Sequence, residues 1–571
     1  MSKLFIRIIL FLLITINLFS QDKKNKKPSS THTKAEKKIN DFSIINNNDE
    51  LPFLPPSNNK RKNIFGNKKK KDKLLDKLEY RIGFITEAGF FNNADLRNLN
   101  ELNSTAIDQT DDKLSLALSR FYINLYFPIS NSLFFRIDLF KNGFWGNDNL
   151  SGSSTNNLSS STTIGADPFY FGELFLEKII FSLKNSQLSI KLGRQFFTIG
   201  GTPILQDYMF SDYLDAITFQ YNHKIIGNFK VIAIDIFQMG SNTIDQINYL
   251  RYLSNDNSRM NNFNGDVNVV RTGFVYESPN LLNFSETITK GGLQNRLYSF
   301  YARYGATDNG GANRTNNGST GNFSDNDWSF MAGDRITYYG SLIDIYLDFA
   351  VSTGIDRRLP TASNSSHDIN NDGFALNLGT QLKALIINDN YKLSSSIQVF
   401  YSMGPRYDDK GNQISHGFVS FKSNQVGGLL LNRYWGMHPS AYTANNGIES
   451  SPHDYERKSG TMFIQANLNN QLGDNWNFIF DIWYFMDTAT TAFDTSNALG
   501  KIEQVQQRLT KPLGMEIDFT INLQTSEEWS IFLTSAVFIP SNFYQTPGIT
   551  DASPYGTDSF WGLQIGSKLV F

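Results

Sequence analysis

Histidines are the first place to look for chemistry. His416, His438 and His453 fall in one stretch, and Asp454 follows the last directly. A histidine beside an acid can act as a base or bind a metal. Here the spacing matches no compact metal motif. No catalytic group, metal or cofactor is expected, so the chain reads as a non-enzyme. There is no cysteine, which excludes thiol nucleophiles, disulfides and a lipidated N-terminal cysteine.

The remaining chemistry is that of charge in regular spacing. Asp344 and Asp348 alternate with Ile343, Ile345, Leu347, Phe349 and Val351, and Glu516 and Asp518 alternate with Met515, Ile517 and Phe519. Lys383 stands opposite in phase to Phe374, Leu376, Leu378 and Leu382. The same phase puts Arg120, Arg136, Asp138, Arg303 and Asp481 on a polar face. Charges of both signs on one face, backed by an unbroken apolar face, suit a wall between water and hydrocarbon. They would select solutes by field and size.

The elements that must carry these charges are strands of period two. About eighteen such segments run from 80–91 to 560–571. Their connections alternate. Short ones include Pro128-Ile129-Ser130, Asn185-Ser186, Gly340-Ser341 and Gly473-Asp474, while long ones cover 92–113, 143–167, 404–458 and others. The one connection out of step is 278–295, long where a short one is due. This rhythm predicts an all-β fold, a transmembrane antiparallel up-and-down β-barrel of about eighteen strands. Short turns would face the periplasm and long loops the outside. The last strand alternates Trp561, Leu563, Ile565 and Leu569 and closes on Phe571, which reads as an outer-membrane assembly signal, broken in parity only at Ser567.

Composition agrees. Hydrophobic residues make up 40% and aromatic ones 14%, with 47 Phe, 25 Tyr and 42 Gly. Barrel strands keep average hydropathy because only alternate residues meet lipid. Aromatics suit interfacial girdles, and Gly, Asn and Ser suit turns and wet loops.

The N-terminus predicts processing. Lys3 and Arg7 precede an apolar stretch from Ile8 to Ile16, and the small Ser20 offers a cleavage point, so residues 1–20 read as a signal peptide. Residues 21–79 are rich in Lys, Asn and Pro and carry a net charge of about +8. They are expected to be mostly disordered and periplasmic, in reach of an acidic polymer such as peptidoglycan. Since the whole chain is −2, the barrel region 80–571 is acidic. Expected partners are therefore outer-membrane lipid and lipopolysaccharide, the barrel-assembly machinery and peptidoglycan, with no nucleic acid. The expected location is the cell outer membrane.

Leu192-Gly193-Arg194-Gln195, Gly200-Gly201 and Asp215-Ala216-Ile217 resemble a strand–loop–strand signature of alginate-export-family barrels. Leu513-Gly514-Met515-Glu516-Ile517-Asp518-Phe519-Thr520, followed by Trp529 to Phe538, resembles that family's near-terminal hairpin. The resemblance implies an eighteen-stranded monomeric barrel that passes a hydrophilic solute, with Arg194, Asp215, Glu516 and Asp518 near the lumen. Arg194 shares parity with apolar Ile190 and Leu192, so a bulge at Gly193 is needed to turn it inward. The lumen charge is mixed, so alginate itself does not carry over.

Loop 404–458 contains Gly427-Gly428-Leu429-Leu430-Leu431 and Arg433-Tyr434-Trp435, unusually apolar for an external loop. Part of it is expected to fold into the barrel and constrict it. These features predict a porin-like channel for hydrophilic, including charged, solutes. The rival is a surface adhesin or receptor that uses the barrel as an anchor.

Overall fold

The computed structural model describes residues 78–92, 114–144, 170–200, 207–239, 267–281, 283–284, 291–306, 325–356, 369–388, 391–404, 461–488, 511–541 and 559–571, with short pieces at 406–407, 413–415, 417–418, 420 and 428–430. The expected signal peptide, nearly all of the basic segment, and His416, Arg433, Tyr434, Trp435, His438, His453 and Asp454 lie outside the described residues.

One sheet of 22 strands contains four pieces of only two or three residues. The other eighteen form the wall. They are β1 (Glu79–Asn92), β2 (Leu114–Ser130), β3 (Leu133–Phe144), β4 (Tyr170–Ser182), β5 (Ser186–Thr198), β6 (Ser211–His223), β7 (Gly227–Met239), β8 (Val267–Glu277) and β9 (Gly291–Ala306). They continue as β10 (Asp325–Tyr339), β11 (Ile343–Asp356), β12 (Gly373–Asn388), β13 (Tyr391–Ser402), β14 (Thr461–Leu472), β15 (Trp476–Asp487), β16 (Lys511–Gln524), β17 (Trp529–Pro540) and β18 (Phe560–Val570). Each pairs antiparallel with its sequence neighbours, and β18 pairs with β1 from Gly83↔Val570 to Asn92↔Trp561. Phe571 adds two further backbone bonds to Ile82, at 2.8 and 3.1 Å. The barrel is closed and has no free edge.

Alternation is the reason these segments become wall. Ile343, Ile345, Leu347, Phe349 and Val351 are all exposed, whereas Asp344, Tyr346, Asp348 and Ala350 are buried. The outer face is apolar where a soluble protein would be polar, as a hydrocarbon solvent requires. Ser567 interrupts the apolar parity of β18 for a local reason: its Oγ accepts the indole N–H of Trp529 at 2.7 Å.

The connection after β8 is shorter than the sequence suggests. Ser278 and Leu281 continue the ladder to Asn295 and Leu293, Asn283–Phe284 pairs with Gly291–Gly292, and β9 begins at Gly291. The hairpin is extended, and the loop rhythm is largely restored.

The inner face repeats one packing device. Gly83, Gly273, Gly333, Gly379, Gly562 and Gly566 stand directly opposite Tyr122, Phe300, Tyr298, Tyr346, Phe91 and Phe532. In each pair the ring lies over the glycine, where a Cβ would overlap it. Large rings thus lie flat on the wall instead of filling the lumen.

Candidate functional site

Two segments from the long-loop rim enter the barrel. The first, Asp207 to Phe210, joins β5 to β6. Tyr208 packs on Phe400 of β13 and Phe463 of β14, with ring centroids 5.6 and 5.1 Å apart. Phe210 packs on Phe300 of β9 at 4.6 Å. A loop between β5 and β6 reaches β9, β13 and β14 together only across the interior. Tyr208, Met209 and Phe210 are fully buried there.

Arg335 of β10 holds this segment. Its guanidinium donates to the Asp207 carboxylate at 2.9 and 3.1 Å, to the Gly200 carbonyl at 2.7 Å, and to Asp348 of β11 at 2.5 and 3.0 Å. Tyr298, lying over Gly333, donates its hydroxyl to Asp348 at 2.7 Å. Asp207 also accepts from the Thr198 hydroxyl at 2.8 Å and from the backbone of Gly200 and Met209. Burial pushes the Asp207 carboxyl up, but the Arg335 charge, with the bonds from Arg335, Thr198 and Met209, outweighs it and holds the carboxyl below its ordinary value. An arginine between two carboxylates matches its planar fork of donors.

The second segment is Gly428 to Leu430, from the long loop after β13. Gly428 and Leu430 donate backbone N–H to Glu516 of β16 at 3.1 and 2.5 Å, and Leu429 donates to Asp518 at 3.0 Å. A Cβ on Gly428 would run into the Asp518 carboxylate. Three successive amides thus face two wall carboxylates. Phe418, from the same loop, bonds its N–H to Met403 and is fully buried. Both segments join one apolar cluster with Phe91, Phe197, Phe300, Phe400, Phe463, Trp483 and Phe560. Those wall residues lie toward the long-loop ends of their strands.

Elsewhere on the inner wall, charges are paired along a strand or between neighbouring strands. Arg136 meets Asp138 and Glu173, each at 2.9 Å. Arg271 meets Asp235 at 2.5 Å, Arg296 meets Glu277 at 2.7 Å, and Lys383 meets Asp344 at 2.9 Å. Arg120 shares the inward phase of buried Tyr122. Asp481 accepts from Gln465 and Asn467 and is the register partner of Asp518.

Three expected lumen residues lie elsewhere. Arg194 and Asp215 are register partners on the outer face, joined at 2.9 Å. Gly193 has φ 116°, yet the β5–β6 register passes it without a shift, so no bulge turns Arg194 inward. The guanidinium instead bonds the Phe171 carbonyl and lies over the Tyr213 ring. Arg303 also faces outward, in phase with exposed Leu297 and Tyr301, while Tyr298, Phe300 and Ala302 take the inner positions. Its strand begins earlier than expected, and charge by itself does not reveal phase. Conversely, Asp207, Tyr208 and Phe210 were not among the expected site residues. Their signal was present: an Asp-Tyr-Met-Phe run in a connection expected to be watery, the same anomaly that marks loop 404–458.

The arrangement offers a wall of paired charges narrowed by two inturned segments. The class so defined is a wide, closed antiparallel β-barrel with an eighteen-stranded wall. No protein-family model and no curated protein matches the chain. Among solved structures it is similar to Pseudomonas putida OprB, at 11% identity and TM-score 0.37, over 87% of this chain and 95% of that one. Pseudomonas aeruginosa OprD matches at 11% identity and TM-score 0.36, over 86% and 95% of the two chains. Acinetobacter baumannii OccAB4 matches at 9% and 0.38, over 86% and 98%. The fold is defined by the antiparallel pairing of the eighteen wall strands.

Proposed function

We propose that the protein is an outer-membrane channel for hydrophilic, including charged, solutes, exported by its N-terminal signal peptide and performing no chemical step. The observation that carries this reading is the polar, charge-paired inner wall of a barrel wide enough to leave an aqueous lumen. The inturned segments, with Arg335–Asp207 and the Gly428–Leu430 contacts at their base, would set the size limit, and the mixed charge of the wall would set ion preference. Membership of the alginate-export family is part of this proposal. It draws on the β16–β17 hairpin, with Glu516 and Asp518 facing inward, and not on Arg194 and Asp215. The basic residues of 21–79 would contact peptidoglycan.

The purified full chain in a planar lipid bilayer tests this. Stepwise conductance is expected, and reversal potentials in a salt gradient would report the sign of selectivity. One observation favours the rival anchor reading: the apolar cluster that reaches across the long-loop half. A barrel that stays electrically silent, in the wild type and after removal of the inturned segments, and that binds host or cell-surface ligands would support that rival.

A further inference from the structure

The outer wall over β7, β8 and β9 is not smooth. Val231, Phe274 and Ser299 share one level of the register, and Thr272 and Tyr301 the next. Ser299 and Thr272 are short, and Phe229, Val231, Phe274 and Tyr301 stand around them. The result is a groove of about 420 Å³ with Gly273 in its lining. The Thr272 hydroxyl is turned to the Ile232 carbonyl at 2.8 Å, which leaves its methyl to the groove. One level further toward the long-loop rim the outward residue of β9 is Arg303, exposed, register partner of Val270 and Trp328. Trp328 and Tyr301 stack at 6.3 Å, so the arginine sits in an aromatic layer of the kind found at headgroup level.

We propose that this groove holds an acyl chain of an outer-leaflet lipid whose phosphate is met by Arg303. The groove is apolar and lies on the face turned to hydrocarbon, so acyl chains are the solvent that fills it. From Arg303 to Ser299 the strand advances four residues, about 13 Å at roughly 3.3 Å per residue, or about 10 Å of depth at a barrel tilt of about 40°. That lies within one leaflet of a hydrocarbon core about 30 Å thick. A headgroup at Arg303 therefore places its chain along the groove. A guanidinium pairs with phosphate by charge-assisted, bidentate bonds, which a zwitterionic headgroup satisfies less well. The inference rests on the wall lying in the outer membrane and not on the channel reading, since a non-conducting barrel holds the same groove.

The test is native mass spectrometry of the full chain in detergent, with lipid A or phosphatidylcholine added, and heat-modifiable gel mobility as the check of folding. Wild type is expected to retain lipid A with about a tenfold preference over phosphatidylcholine. Ser299→Phe, which fills the groove, should abolish retention, and Thr272→Leu should do the same if the first variant does not fold. Arg303→Gln should keep lipid but lose most of the preference. Equal retention by the folded groove-filled variants, or an unchanged preference in Arg303→Gln, overturns the proposal. So does a dimer of the wild type that Ser299→Phe dissociates, which would assign the groove to a second copy. Silence of the wild type in a bilayer would count against the channel and leave this result untouched.

Discussion

Arg335 on β10 clasps Asp207, 128 residues earlier in the chain, at 2.9 Å across the inside of the barrel. The pair ties a loop from one side of the wall to the other, and Asp348 completes an arginine held between two carboxylates. Replacing Arg335 by Ala leaves both carboxylates without their cation. Breaking a buried pair this way costs about 3–5 kcal/mol. Most of that cost is relieved if the loop leaves the lumen. The expected outcome is a larger single-channel conductance and faster proteolysis in the β5–β6 connection, with the barrel still resistant to unfolding in gels.

The clasp has a definite pH sense. Asp207 is held below its ordinary value, so the stability it contributes is complete above the unfolded-state value of about 4 and is lost as pH falls through the lower folded-state value. The part of the conductance that Asp207 controls should therefore stay constant from neutral pH down to about 4 and change only in stronger acid. Asp207→Asn should remove this acid step. A titration of conductance against pH in the wild type and in Asp207→Asn measures both, and an acid step that the Asn variant retains would contradict the assignment to Asp207.

Gly428 is needed for its size. With a Cβ meeting the Asp518 carboxylate, Gly428→Val should detach the segment that donates to Glu516 and Asp518. Conductance should rise, as it should on deletion of 415–440. Overpacking in a closed site costs about 1–3 kcal/mol, so the thermal midpoint should fall modestly. If conductance is unchanged in both variants, the loop does not limit the passage.

The glycines under rings predict a different phenotype. Gly333→Val forces Tyr298 off the wall and away from Asp348. About 1–3 kcal/mol of destabilisation in urea titrations in detergent is expected, with the same change at Gly379 acting through Tyr346 alone. Only the Gly333 variant should also loosen the clasp and raise conductance.

Asp334 faces outward between Leu297 and Phe349, where its carboxylate accepts from the Asn295 amide at 3.1 Å. A charge on the lipid face of a barrel is destabilising, less for acids than for bases. Asp334→Leu should raise stability against urea in lipid vesicles by about 1 kcal/mol. A loss of stability instead would mean that another chain covers this face.

Strand existence was legible in the sequence because period-two alternation is local: it is read from one segment at a time, as in Ile343 to Val351. Phase was less so at strand ends. Arg303 sits near the long-loop end of β9, where both phases carry apolar or aromatic residues, Leu297 and Tyr301 on one and Tyr298, Phe300 and Ala302 on the other, so alternation does not mark which face is which. Arg194 in fact keeps the phase of Leu192, and parity was a better guide than the motif.

The sequence by itself determined a barrel wall: alternating strands, short and long connections in turn, and a last strand that ends on Phe571. Each of these follows from residues adjacent in the chain, because the pleat and the turns are short-range. Only the tertiary structure decided what the lumen contains. Which acid meets Arg335, and that Asp207 to Phe210 and Gly428 to Leu430 turn inward, depend on closing eighteen strands into a circle. That closure brings β10 and the β5–β6 loop within hydrogen-bonding distance across the interior, and no local pattern encodes the distance across a circle.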